Sequence, residues 1–181
     1  MQKQQKSRFR AFHDERDPRA AESSSGHFEF CCRKTDRSIF LKSDLQIENI
    51  QDIDQIYIIA CGSAYHVGMA AQYVFEDMVR VPVRVELASE FRYRNPILNP
   101  KALAIIISQS GETADSLAAL RLCKENNIRT LGIVNVVGSS IAREADNVFY
   151  TLAGPEISVA TTKAYSTQLI ASYALAIQFA K

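Results

Sequence analysis

Apolar residues in the second half of the chain alternate between two spacings, one typical of strands and one of helices. The segment 103–107 contains only branched or small apolar residues, which is typical of a strand buried on both faces. From Ala114 onward the apolar positions recur every three or four residues, which predicts a helix packed on one side. Between them lies the polar turn Ser-Gln-Ser-Gly-Glu-Thr at 108–113. We therefore expect this turn to connect a central strand to a helix.

The same alternation continues on both sides of that unit. It predicts strands at 56–60, 83–87, 103–107, 130–135 and 148–150, and helices at 65–79, from 114 to near 126–127, at 140–145 and at 162–180. The faces expected to be buried are Val67, Ala70, Ala71, Val74 and Met78 in the first helix and Ala114, Leu117, Ala118 and Leu122 in the second. Strands that alternate with helices form a mostly parallel sheet covered on both faces. The sequence therefore predicts an α/β fold.

The helix expected at 162–180 is apolar on nearly every side. Its large apolar residues do not share one stripe, so it needs cover from more than one direction. We expect that cover to come from a second copy of the chain or from a second domain of similar kind. The alternative is that limited apolar surface stays exposed in a monomer.

The first 45 residues differ from the rest. Residues 1–37 hold nine Lys or Arg against six Asp or Glu, and they show little periodicity apart from a possible strand at 27–30. We expect an N-terminal arm or linker at 1–45 that is partly disordered, followed by one folded domain at 46–181.

Composition excludes several classes of function. The net charge of +1 provides no electrostatic footprint for nucleic acid or for an anionic membrane, and no apolar run approaches the roughly 20 residues that span a bilayer. The four cysteines show no CxxC spacing, and the start lacks a signal-peptide core. Neither a Walker A nor a GxGxxG spacing occurs. We expect a cytoplasmic protein without a metal or cofactor, and nucleotides are disfavoured as ligands.

Hydroxyl side chains follow four of the predicted strands. They are Ser63, then Ser108, Ser110 and Thr113, then Ser139 and Ser140, and finally Thr161 and Thr162. The carboxyl ends of parallel strands lie at one edge of a sheet, where ligands bind. Backbone amides at a helix start attract anions, and Gly111 permits a close approach. This pattern favours a phosphate-bearing ligand, although Ser110 could instead cap its helix.

Four segments also resemble a known family. They are Ala-Cys-Gly-Ser at 60–63, Ala-Ser-Glu-Phe-Arg-Tyr-Arg at 88–94, Ser-Gln-Ser-Gly-Glu-Thr-Ala-Asp at 108–115 and Gly-Pro-Glu-Ile-Ser-Val-Ala-Thr-Thr-Lys-Ala at 154–164. Together they are similar to the sugar isomerase (SIS) domain, and more narrowly to the first SIS domain of the glutamine–fructose-6-phosphate aminotransferases, over about 53–181.

The resemblance implies a fold and a ligand. The expected fold is a flavodoxin-like three-layer α/β/α sandwich with a five-stranded parallel sheet, and the expected ligand is fructose 6-phosphate or glucosamine 6-phosphate. The residues implied to hold the phosphate are Ser108, Gln109, Ser110 and Thr113. Ser63 lies in the family's CG[TS] turn, and Val159 and Thr161 would line the sugar side.

The chain departs from the family at several places. Ala64 and Thr161 stand where the family usually has serine, and Gln2 stands where the complete enzyme has its glutaminase cysteine. The family's second SIS domain supplies the Glu, His and Lys used in isomerisation, so no catalytic residue is assigned here. We expect a fragment that binds sugar phosphate without turning it over. The alternatives are a stand-alone sugar-phosphate sensor and a small isomerase that acts as an oligomer.

Overall fold

The computed structural model describes residues 32–35, 38–41, 52–155 and 161–180. The first two segments are the strands β1 (Cys32–Thr35) and β2 (Ser38–Leu41), which pair antiparallel as a separate two-stranded sheet. Strand β2 lies beside the C-terminal helix. The strand expected at 27–30 lies outside the described residues, and the arm boundary near residue 45 stays a prediction.

A five-stranded parallel sheet lies at the centre of the described residues. Its strands are β3 (Gln55–Ala60), β4 (Val83–Leu87), β5 (Ala102–Ser108), β6 (Arg129–Val134) and β7 (Asn147–Tyr150). The order across the sheet is β4-β3-β5-β6-β7, and every neighbouring pair is parallel. Strand β5 is therefore central, which confirms that prediction, and β4 lies at an edge.

Helices cover both faces of this sheet. They are α1 (Ser63–Val79), α2 (Ala88–Phe91), α3 (Ala114–Glu125), α4 (Ser140–Glu144) and α5 (Thr162–Phe179). Alternate residues of a strand point to opposite faces, so Ile105 and Ile107 of β5 pack under α1 and α5, whereas Ile106 packs under α2, α3 and α4. All three side chains are at most 1% exposed. The α/β/α prediction is confirmed.

The buried faces of two helices differ from the predicted ones. In α1 the buried positions are Ala64, Val67, Gly68, Ala71 and Phe75, and Met78 is 37% exposed. The reason is Gly68, where a Cβ atom would lie 2.9 Å from Ile58 Cγ2, so α1 approaches the sheet most closely on that side. In α3 the buried positions are Ser116, Ala119, Leu120 and Cys123. The small polar side chain of Ser116 shares this face with apolar ones, so the pattern of apolar residues did not identify the buried face.

Helix α5 is covered mainly from within the chain. It packs against α1, and the Phe75 and Phe179 ring centroids are 6.0 Å apart. Among its large apolar residues only Ile177, at 39%, counts as exposed. Most of its apolar surface therefore needs no second protein as cover, and pairing with another SIS domain stays a prediction.

No helix within the described ranges combines the length and the apolar character needed to cross a membrane.

Candidate functional site

A cavity of about 160 Å³ lies at the carboxyl ends of β3 and β5, where α1, α3 and α5 begin. Its lining consists of Cys61, Ser63, Ala64, Ile107, Ser108, Gln109, Ser110, Thr113, Thr161 and Gln168. Six of the seven residues that the sequence nominated for binding are therefore brought together, and the seventh, Val159, lies outside the described residues. Their contact with a ligand stays a prediction.

Internal hydrogen bonds hold the turn after β5 in shape. Ser108 Oγ accepts a hydrogen bond from the Gly111 main-chain N at 3.1 Å and lies 3.1 Å from Thr113 Oγ1. Ser110 Oγ accepts one from the Glu112 main-chain N at 3.2 Å. Gly111 has a φ of +68°, a left-handed conformation that strongly favours glycine. The three hydroxyls are therefore fixed around the start of α3 before any ligand arrives.

Three helix starts face this cavity without a side-chain cap. Gly62, Thr113 and Thr161 are the N-cap residues of α1, α3 and α5, and none of them makes a side-chain capping hydrogen bond within the part of the chain described. Ser110 does not occupy the cap position of α3, so the alternative role considered for it is wrong. Because the N-terminal end of a helix carries partial positive charge, the three starts favour an anion between them.

The second wall of the cavity joins two of these starts. Ser63 Oγ, at the beginning of α1, lies 3.0 Å from Thr161 Oγ1, just before α5. The threonine therefore retains the hydroxyl that the family's serine would bring. Ala64 also lines the cavity. Because the family usually has serine at this position, the lining of this chain has one hydroxyl fewer there.

The turn at 139–140 reaches the same edge of the sheet but does not line the cavity. Ser139 is 2% exposed and lies directly behind Gly111, and its hydroxyl has no hydrogen-bond partner among the described residues. The Ser140 main-chain N instead donates to Glu112 Oε1 at 2.8 Å. Hydrogen bonding by Ser140 lowers the pKa of Glu112. The expectation that all four hydroxyl-bearing turns contribute to one site is wrong for this turn, and Thr162 is likewise absent from the lining.

Asn135, which the sequence did not single out, positions the loop that leads towards α5. Its Oδ1 accepts hydrogen bonds from the Ala153 main-chain N at 2.7 Å and from Thr151 Oγ1 at 3.2 Å, and its Nδ2 donates to the Gly154 carbonyl at 2.8 Å. Its own main-chain N donates to the Gln109 carbonyl at 3.1 Å. One buried asparagine thus connects the candidate phosphate-binding turn to the loop after β7.

The segment 88–94 braces α3 from the other side. Arg92 Nη1 donates to Asp115 Oδ1 at 2.7 Å, in the first turn of α3, and Phe91 is fully buried between α2 and the sheet. The role of this segment is therefore to place the helix start, since none of its residues lines the cavity.

The described side chains near this edge of the sheet that could act as an acid or a base do not line the cavity. His66 is exposed with its ring against Tyr65, Glu112 is bonded to Ser140, and Lys163 is half-buried beside the start of α5. Glu156 lies outside the described residues. No cluster of three or more His, Cys, Asp or Glu side chains in the described segments is arranged to hold a metal ion.

Gln168 is the lining residue that the sequence analysis most clearly missed. It is 3% exposed and lies on α5, seven positions after Thr161. Residues seven apart share one helix face, two turns from each other. A long polar side chain at that spacing in a largely apolar helix was the available signal.

Comparison with known proteins agrees with this geometry. The SIS domain family matches residues 49–178, so the chain belongs to the SIS domain family. The glutamine–fructose-6-phosphate aminotransferase of Clostridium tetani is 55% identical over 150 residues, covering 79% of this chain and 25% of that protein. The corresponding protein of Mycolicibacterium smegmatis is 47% identical over 161 residues, covering 89% and 25%. The chain therefore spans about a quarter of the length of these relatives.

Solved structures lead to the same group. The C-terminal domain of glucosamine-fructose-6-phosphate aminotransferase from Francisella tularensis is 40% identical with a TM-score of 0.81, covering 87% of this chain and 44% of that one. A glucosamine-6-phosphate deaminase from Thermotoga maritima, at 24% identity and a TM-score of 0.69, shares the fold. The chain is thus an SIS domain, homologous to the isomerase part of glutamine–fructose-6-phosphate aminotransferase, with a phosphosugar-binding fold.

Proposed function

We propose that this chain binds fructose 6-phosphate or glucosamine 6-phosphate in the cavity at the ends of β3 and β5. The observation that carries the proposal is the convergence of hydroxyls from three separate segments on one cavity of about 160 Å³. The substrate named for the relatives, fructose 6-phosphate, is chemically suited to such a lining.

The phosphate is assigned to the turn at 108–113. No Lys or Arg among the described residues lines the cavity, so main-chain amides, helix starts and neutral hydroxyls would balance the charge of the ester. Ser108, Ser110 and Thr113 offer those hydroxyls on one side. Ser63 and Thr161 face the sugar, and Val159 is assigned to the same side from the sequence.

We further propose that the 181-residue chain binds this ligand without converting it. Making an amino-aldose phosphate from a ketose phosphate requires ammonia addition and then a proton transfer between adjacent carbons, which needs a positioned base. Among the described residues, no His, Lys, Asp or Glu lines the cavity. A second SIS domain, in another copy or another protein, is the proposed source of the missing groups. The cytoplasm, where thiols stay reduced, is the proposed location.

Calorimetric titration with fructose 6-phosphate tests the binding. We expect Ser110→Ala and Thr113→Val each to weaken binding about tenfold or more, because a hydrogen bond to a charged group is lost. Ser166→Ala is the matched control, since the Ser166 hydroxyl bonds only to the Thr162 carbonyl of its own helix among the described contacts. Fructose itself should bind far more weakly than its 6-phosphate.

Two results would contradict the proposal. Failure of the wild-type chain to bind fructose 6-phosphate would remove the binding function. Formation of glucosamine 6-phosphate by the chain from ammonia and fructose 6-phosphate would refute the statement that it does not turn the sugar over.

A further inference from the structure

Gln168 combines burial with an unused hydrogen-bonding group. Its residue is 3% exposed and lines the cavity, yet no hydrogen bond among the described residues involves its carboxamide. Only its main-chain carbonyl is engaged from a side chain, by Ser172 Oγ at 2.9 Å. A buried primary amide carries two N–H donors and one acceptor, and nearly all such groups in folded proteins are paired.

The other polar side chains on the buried face of α5 do not behave this way. Thr167 Oγ1 donates to the carbonyls of Lys163 and Ala164, and Ser172 Oγ donates to that of Gln168. Each hydroxyl is thus satisfied by its own helix. Gln168 makes no such bond through its carboxamide within the described part of the chain, and it lines the cavity. Within the described residues the carboxamide is therefore available to a partner that enters the cavity.

The position of Gln168 identifies which part of the ligand it meets. It is two helical turns, about 10 Å, further along α5 than Thr161, so the two residues contact different parts of the cavity. Thr161 lies beside Ser63, which we assigned to the sugar. Gln168 lines the same cavity as Ile107 and Ser108 at the end of β5, where the turn assigned to the phosphate begins.

We propose that Gln168 is a ligand-binding residue whose Nε2 donates a hydrogen bond to a phosphate oxygen of the bound sugar phosphate. This assignment rests on the proposed function and adds a donor from α5, opposite the turn at 108–113. The carboxamide supplies a donor without a charge, in keeping with the neutral lining of the cavity.

Three variants of the 181-residue chain test the assignment. Gln168→Met retains the length of the side chain without its donors, Gln168→Glu places an anion beside the phosphate, and Gln178→Met is the matched control at an exposed position of the same helix. Binding of fructose 6-phosphate and of inorganic phosphate is measured by calorimetry, and the thermal unfolding midpoint without ligand is measured by circular dichroism.

We expect Gln168→Met to weaken binding of both ligands about tenfold or more, and Gln168→Glu to weaken it further. We expect Gln168→Met not to lower the unfolding midpoint of the ligand-free chain, because the carboxamide makes no hydrogen bond within the described residues that the substitution would break. A residue with a purely structural role would lower that midpoint. Gln178→Met should leave binding unchanged.

The assignment is wrong if Gln168→Met binds both ligands as tightly as the wild type. It is also wrong if only the sugar phosphate is affected, since the contact would then be to the sugar, or if affinity and midpoint fall together. A wild type that binds neither ligand overturns the proposed function and this assignment with it, whereas the other results leave the proposed function intact.

Discussion

Gly111 occupies the tightest point of the turn at 108–113, and replacing it by alanine is the most stringent test of that turn. Its φ is +68°, and a Cβ atom added there would lie 2.1 Å from Ser139 Oγ and 2.6 Å from Ser139 Cβ. Both distances are far below van der Waals contact. Gly111→Ala therefore combines an unfavourable backbone conformation with a collision against a buried side chain.

The two costs can be estimated separately. A left-handed conformation costs an L-residue about 1–2 kcal/mol. Overpacking a filled site costs typically about 1–3 kcal/mol. We therefore expect Gly111→Ala to lower the free energy of unfolding by about 2–5 kcal/mol. Since small domains are commonly stable by about 5–15 kcal/mol, a measurable folded population should remain.

A second substitution separates these contributions. Ser139→Gly removes the atoms that the new Cβ would meet, and it also removes a buried hydroxyl that has no partner among the described residues. We expect the double variant to recover about 1–3 kcal/mol relative to Gly111→Ala, leaving mainly the backbone cost. Ser139→Gly alone should be close to neutral, because loss of the unpaired hydroxyl offsets the entropy that glycine adds to the unfolded chain.

Urea unfolding followed by far-ultraviolet circular dichroism measures all four members of this cycle. The reasoning fails if Gly111→Ala changes the free energy of unfolding by less than about 1 kcal/mol, which is below the backbone cost alone. It fails equally if Ser139→Gly does not rescue Gly111→Ala, since the collision would then not be with Ser139.

Two further predictions concern the residues that hold the turn in place. Asn135→Ala should lower the free energy of unfolding by about 2–4 kcal/mol, because three hydrogen bonds to the loop at 151–154 are lost in a buried position. Urea unfolding measures this change. If it is no larger than the change caused by the same substitution at an exposed asparagine such as Asn126, the prediction is contradicted. Hydrogen bonds with Ser140 lower the pKa of Glu112 in the folded state. Its carboxylate therefore stabilises the folded state at and above the ordinary pKa of glutamate, and this stabilisation is lost as the pH falls through the lowered pKa. Glu112→Gln should therefore be less stable than the wild type at neutral pH, with a difference that shrinks on acidification, and a constant difference across the acid range would argue against the linkage.

The amino-acid order alone determined the architecture of the sheet. Five apolar runs separated by helical periods predict parallel strands, and the apolar run at 103–107 predicts that β5 is buried on both faces. The grouping of Ser63, Ser108, Ser110, Thr113 and Thr161 at one edge also follows from the sequence, because parallel strands place their carboxyl ends together. Local period and chain topology suffice for these features.

Only the tertiary structure decided which hydroxyls line the cavity and which helix faces are buried. Ser139 and Ser110 both lie in turns after strands, yet Ser139 is packed behind Gly111 while Ser110 lines the cavity. Likewise, the period of α5 places Thr161 and Gln168 on one face but does not reveal what that face meets. The periodicity of a sequence relates residues within one helix or strand, whereas contacts between elements depend on how closely their backbones approach. At Gly68 and Gly111 this close approach is possible because glycine has no side chain.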